Sequence, residues 1–108
     1  MRTGDIILVP FPLAELTRKK VRPAVVISET LDKYKDIVVS AISSVIPQRL
    51  TESEIVIEPS KLNNLRAPSV IKVDRIVTLK RENVIAHLGK LSRDELITFK
   101  SKFRNLVG

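Results

Sequence analysis

No cysteine occurs in the 108 residues, and that absence removes disulfides, zinc-thiolate centres and thiol catalysis; it also suits a reducing compartment. Tryptophan is absent and aromatics make up only 4% of the chain, so a core has to be assembled from Ile, Val and Leu. That composition favours β-strands covered by a helix. A single histidine, His87, is the one side chain whose ordinary pKa suits proton transfer near neutrality. No apolar run reaches the length of a membrane span. The start Met1-Arg2-Thr3-Gly4-Asp5 leads into a strand rather than a signal-peptide core, so a soluble cytoplasmic protein that needs no membrane is expected. Nothing in the sequence calls for a metal ion or a cofactor.

What is present is positive charge. Lys and Arg number 19 against 12 Asp and Glu, a formal net charge of +7, enough to create a field that attracts polyanions. Nucleic acid is the obvious polyanion, and a Lys-rich solvated surface of a heat-resistant protein is the competing explanation. The clustering of Arg18, Lys19, Lys20 and Arg22 favours the former. At 44% hydrophobic and 29% charged, residues 1–108 fit one compact domain with one core.

The apolar pattern is mostly that of strands. Ile6 to Val9 is a continuous run closed by Pro10-Phe11-Pro12, where a strand should stop or reach a sheet edge, because proline cannot donate to a central ladder. Leu13 to Val21 reads as a loop. Pro23 to Ser28 and Asp36 to Ile42 are further Val/Ile-rich runs bounded by polar residues. Ser53 to Glu58 alternates polar and apolar residues up to Pro59, the pattern of a half-buried edge strand whose charges blunt the edge. Lys61 to Arg66 is a helical turn or a loop. Ser69 to Val73, Arg75 to Leu79 and Asn83 to Leu88 complete the strands.

Ser92-Arg93-Asp94-Glu95 has the order of a capping box, so a helix is expected from Arg93. Leu96, Phe99, Phe103 and Leu106 then recur at spacings of three and four, with Ile97 widening the stripe. Many short strands and one closing helix predict a mainly β (α+β) fold, a small β-barrel with a C-terminal α-helix.

Several blocks of this chain resemble the MazF/PemK toxins of type II toxin–antitoxin systems. They are Gly4-Asp5-Ile6-Ile7-Leu8-Val9 with Phe11-Pro12, Lys20-Val21-Arg22-Pro23-Ala24-Val25-Val26-Ile27-Ser28, Ala41-Ile42-Ser43-Ser44, the stretch from Ser69 to Leu79, and Leu88-Gly89-Lys90-Leu91-Ser92. The arginine-proline block is the most specific. The resemblance implies an SH3-like barrel that pairs as a homodimer and a metal-independent endoribonuclease that cuts single-stranded RNA, often messenger RNA. It also implies a cognate antitoxin that occupies the RNA groove, with DNA binding in the toxin–antitoxin complex. It makes Arg22 catalytic, with Ser43 at the place of a partner threonine. Lys72 stands where some relatives carry a contributing arginine, and Asp74 where they carry a residue that shapes the site.

These assignments have a physical basis. Metal-free RNA cleavage lets the ribose 2′-OH attack the adjacent phosphorus, and the phosphorane oxygens then need a counter-charge. Arg22 keeps its charge and presents a rigid fork of donors, so it suits electrostatic stabilisation and is a poor general base. Its alternative role is an ion pair with Asp5 or another carboxylate. Ser43 would orient a phosphate oxygen or the attacking hydroxyl, unless it bonds its own backbone. Lys72 supplies charge without the planar fork. Asp74 shapes the site or caps a turn. Arg18, Lys19 and Lys20 would grip the RNA backbone, which gives affinity without sequence choice. His87 reads as structural or solvent-facing, and Phe11 as packing rather than a base platform, a role also open to Tyr34. The competing class is a catalytically silent barrel that binds nucleic acid or poisons a protein target.

Overall fold

The computed structural model describes residues 1–12 and 19–108, Lys19 by its backbone alone. Six strands, β1 (Asp5–Pro12), β2 (Lys19–Glu29), β3 (Ile37–Ser43), β4 (Glu54–Ile57), β5 (Ser69–Leu79) and β6 (Ala86–Lys90), precede helix α1 (Arg93–Asn105). They form one antiparallel sheet in the order β4-β5-β3-β2-β1-β6. The sheet curls into a half-barrel, the mainly β architecture with a C-terminal helix that the sequence predicts. Among the described residues no helix is long and apolar enough to cross a membrane.

Strand alternation sends side chains to two faces, and each face buries an apolar set. Ile6, Val25, Ile42, Ile57, Ile71 and Val73 pack with Leu91 and Phe99 of the helical end. Ile7, Val9, Phe11, Ala24, Val26, Ile37, Val39 and Ala41 form the second set, against which Val77, Leu79 and Val84 pack. Pro10 and Pro12 do not end β1: it stays paired with β2 as far as Pro12↔Lys19. On its other side the register with β6 ends at Leu8↔Ala86, so the prolines fall where β1 has become an edge.

Some boundaries differ from the sequence reading. Residues 83–88 are not all strand, because a short 3-10 helix (Arg81–Asn83) intervenes and β6 starts at Ala86. The two runs from Ser69 to Leu79 are one strand interrupted by a bulge. Helix α1 begins at Arg93 with the reciprocal Ser92 and Glu95 bonds in place, at 3.2 and 2.8 Å. Phe99 is buried, with Leu96 and Phe103 packed against the core, but Ile97 is 59% exposed and Leu106, the C-cap, also faces water. Ile97 lies off the stripe that meets the sheet, and Leu106 lies just past the last helical residue.

Two glycines fix how this shell closes. Gly4 has φ +94°, a conformation that favours glycine, and a Cβ there would meet Leu96 Cδ1 at 2.8 Å, so Leu96 of the helix would have to shift to admit it. At Gly89 a Cβ would lie 2.1 Å from the Leu62 carbonyl oxygen. That carbonyl accepts the Lys90 amide at 3.1 Å, and the Asn64 side chain donates to the Leu88 carbonyl. The turn after β4 thus lies against β6 at the opposite end of the sheet. Buried Asn63 shapes the turn, accepting from the Ser60 and Leu65 amides and donating to the Glu58 carbonyl.

Candidate active site

Arg22 sits in β2 opposite Val9, one residue before Pro23. The β2–β3 register runs Val26↔Val39, Val25↔Ser40, Ala24↔Ala41, and Arg22 and Ser43 each lie two residues beyond its last pair on their own strands. Period-two alternation therefore puts Arg22 and Ser43 on the face of Ala24 and Ala41, at the rim of the second apolar set. On the far side of β3, Ala41 pairs with Lys72 of β5. Arg22, Ser43, Lys72 and Arg75 line one cleft of about 180 Å³, with Phe11 and Ala41 among its apolar walls. Ala41 contributes only a methyl, which leaves room above the sheet between the longer side chains.

The electrostatics of the cleft are one-sided. Three cations line it and no carboxylate does, among the described residues. Asp5, the anion that sequence reasoning offers to Arg22, is engaged elsewhere: its carboxylate lies 3.4 Å from His87 Nε2 and accepts the Arg2 amide at 2.8 Å. Arg22 Nε is buried and has no acceptor among the described residues. A buried N–H without a partner is costly, so the Arg22 side chain keeps hydrogen-bonding capacity still to be satisfied.

Ser43 accepts the Val45 amide at 3.1 Å. That bond occupies a lone pair and leaves the hydroxyl proton free to donate, so backbone anchoring and phosphate recognition are compatible in one side chain. Lys72 is half-buried beside it. Asp74 is exposed and lines neither this cleft nor the neighbouring cavity.

Arg22 also borders that second cavity, of about 520 Å³, whose lining includes Leu8, Val21, Pro23, Leu65 and Leu88. Lys20, Arg22 and Arg66 supply positive charge around this largely apolar hollow. Of the basic run, Lys20 is exposed at the cavity, Lys19 lies in β2 opposite Pro12 without a described side chain, and Arg18 lies outside the described residues. Phe11 is buried in the second apolar set, consistent with packing, while Tyr34 is 67% exposed beside Lys33 and lines a different cavity. His87 is 55% exposed on β6. Arg75 was not legible as a site residue from the sequence, for its place in the cleft depends on the β5 bulge.

The PemK-like, MazF-like toxins of type II toxin–antitoxin systems match this chain over residues 2–107. The chain belongs to that family. Solved structures agree on the fold. An endoribonuclease in complex with its cognate antitoxin, from a Mycobacterial species, superposes with a TM-score of 0.74 at 14% identity, covering 100% of this chain and 95% of that one. MazF (Form-I) from Deinococcus radiodurans gives 0.72 at 20% identity, covering 100% and 96%. The Mycobacterium tuberculosis toxin MazF-mt6 gives 0.65 at 16% identity, covering 94% and 95%. No curated protein sequence matches at a significant level.

Proposed function

We propose that this member of the toxin family is an endoribonuclease that cleaves single-stranded RNA at the Arg22 cleft without a metal ion. The observation that carries the reading is the cleft itself: three cations and a serine hydroxyl with a donor to spare, one of the cations, Arg22, having a guanidinium N–H with no acceptor among the described residues. A cationic lining repels a metal ion and attracts a phosphate, so side chains do here what a metal would do elsewhere.

In this reading the ribose 2′-OH gives its proton to solvent water and its oxygen bonds to the adjacent phosphorus. The phosphorane that forms carries extra negative charge on its non-bridging oxygens. Arg22 stabilises that charge, and the Ser43 hydroxyl donates a hydrogen bond to one of the same oxygens. The P–O5′ bond then breaks, the O5′ takes up a proton from solvent water, and the products are a 2′,3′-cyclic phosphate and a 5′-OH. None of the described side chains lining the cleft is a carboxylate or an imidazole, so what this cleft supplies is electrostatic stabilisation.

The larger cavity suits an antitoxin segment that presents apolar side chains and carboxylates, since it is mainly apolar and edged by Lys20, Arg22 and Arg66. Occupying it covers Arg22 and blocks the cleft. A two-fold homodimer would join two such surfaces into one groove long enough for RNA, and its place of action would be the cytoplasm.

Incubation of the purified protein with a long mixed-sequence RNA in excess chelator tests this. Fragments ending in 2′,3′-cyclic phosphate are expected. Tight binding with intact RNA would instead identify a silent binding barrel.

A further inference from the structure

We infer that Arg75 is the second guanidinium of the active site, placed there by the β5 bulge to contact the phosphate undergoing cleavage from the side opposite Arg22. The inference rests on the endoribonuclease reading above and adds a residue to it.

The bulge determines the geometry. In the β3–β5 register Ala41 faces Lys72, yet the next β3 residue, Ser40, faces Ile76. Val73, Asp74 and Arg75 thus have no register partner in β3. Regular alternation after Lys72 would put Asp74, not Arg75, on the cleft side. With the bulge the order is reversed: Arg75 lines the cleft together with Lys72, and Asp74 does not.

The bulge is anchored rather than loose. The Val73 side chain is fully buried in the first apolar set. Its amide donates to the Ser53 carbonyl at 2.9 Å, and its carbonyl accepts the fully buried Ser40 hydroxyl at 2.9 Å. With both backbone groups and the side chain fixed at Val73, the direction in which the chain leaves toward Arg75 is set. Arg75 itself is exposed, so its guanidinium meets a ligand at little desolvation cost.

The chemistry needs such a group. A phosphorane presents two non-bridging oxygens and a departing O5′, and Arg22 on β2 and Ser43 on β3 leave its β5 side to another donor. Lys72, the other cation on the β5 side, is a point charge with rotatable donors and no planar fork to match two oxygens side by side. Arg75 supplies the planar fork from that side.

The test is single-turnover cleavage of a short RNA with one cut site, alongside binding of the same RNA carrying a 2′-deoxyribose at the cut. Arg75→Ala should slow cleavage by about a hundredfold, the scale for loss of one preorganised donor, while affinity for the uncleavable RNA falls much less. Arg75→Lys should recover only part of the rate, and Lys72→Arg added to Arg75→Ala should restore more of it by returning a fork to the same cleft. If the alanine variant fails to fold, Arg75→Gln takes its place, with the same loss of rate expected. Cleavage by folded Arg75→Ala within twofold of wild type, with Arg22→Ala inactive, would overturn the inference and leave the endoribonuclease reading standing. So would a loss confined to affinity. A wild-type protein that leaves the RNA whole would remove both.

Discussion

The Ser40 hydroxyl donates to the Val73 carbonyl at 2.9 Å inside the sheet, linking β3 to the one irregular point of β5. Neither residue touches the cleft, yet the bond holds the bulge that delivers Arg75 to it. A buried polar tie of this kind acts on function through geometry.

Ser40→Ala should therefore be felt twice. Removing the donor leaves a buried carbonyl short of a partner and should cost about 1 to 2 kcal/mol of stability, read as a lower denaturant midpoint. RNA cleavage should fall as well, though less than in Arg75→Ala. Ser40→Thr, which keeps the hydroxyl, should recover cleavage more fully than Ser40→Val. Equal activities in those two variants would show that Ser40 only packs.

Gly89 makes a different demand. The Leu62 carbonyl lies where a Cβ would sit, 2.1 Å away, and the same carbonyl is bonded to the Lys90 amide. Backbone has to move to admit even a methyl. Gly89→Ala should cost about 1 to 3 kcal/mol, in the range of overpacked sites, and should loosen the turn around Asn63. Faster proteolysis between residues 60 and 67 with a lowered melting temperature would check it, and an unchanged melting temperature would contradict it.

The sequence announces most of this architecture, and the reasons are local. The Ser92/Glu95 pair marks the start of α1 because a capping box is written in adjacent residues. Ser53 to Glu58 shows its edge character in its charges, and β4 is indeed a terminal strand. Arg22 and Ser43 can be picked out by their blocks and share a cleft. Arg75 could not be. Asp74 interrupts the apolar pattern, so Ser69 to Leu79 reads as two strands, and nothing adjacent says that a serine more than thirty residues upstream holds them as one. Contacts that depend on sheet register across distant strands leave no local trace.

Arg22→Ala should leave the fold intact, since the arginine lies at the rim of the apolar set rather than within it. It should remove about 3 kcal/mol of transition-state stabilisation, a rate loss of roughly a hundredfold or more. Ser43→Ala should weaken cleavage less, because Arg22, Lys72 and Arg75 still line the cleft, and Ser43→Thr should keep it. Circular dichroism alongside cleavage rates separates unfolding from lost chemistry. Retained cleavage in folded Arg22→Ala would falsify the cleft as the active site.

Backbone gripping leaves a salt signature. Lys20 is exposed beside the cavity that Arg22 borders, and Lys19 precedes it on the same strand. If these lysines neutralise phosphates, each contact releases counterions from the RNA, and affinity falls with salt at a log-log slope of about −0.7 per contact on single strands. Replacing Lys19 and Lys20 together by Ala should flatten that slope by roughly one to one and a half and weaken binding alike across RNA sequences. The cut site should stay where it is, because phosphate contacts position the strand without reading it. A double variant that moves the cut site while keeping the slope would mean that this end of β2 reads bases, and the positive charge there would then serve specificity instead of affinity.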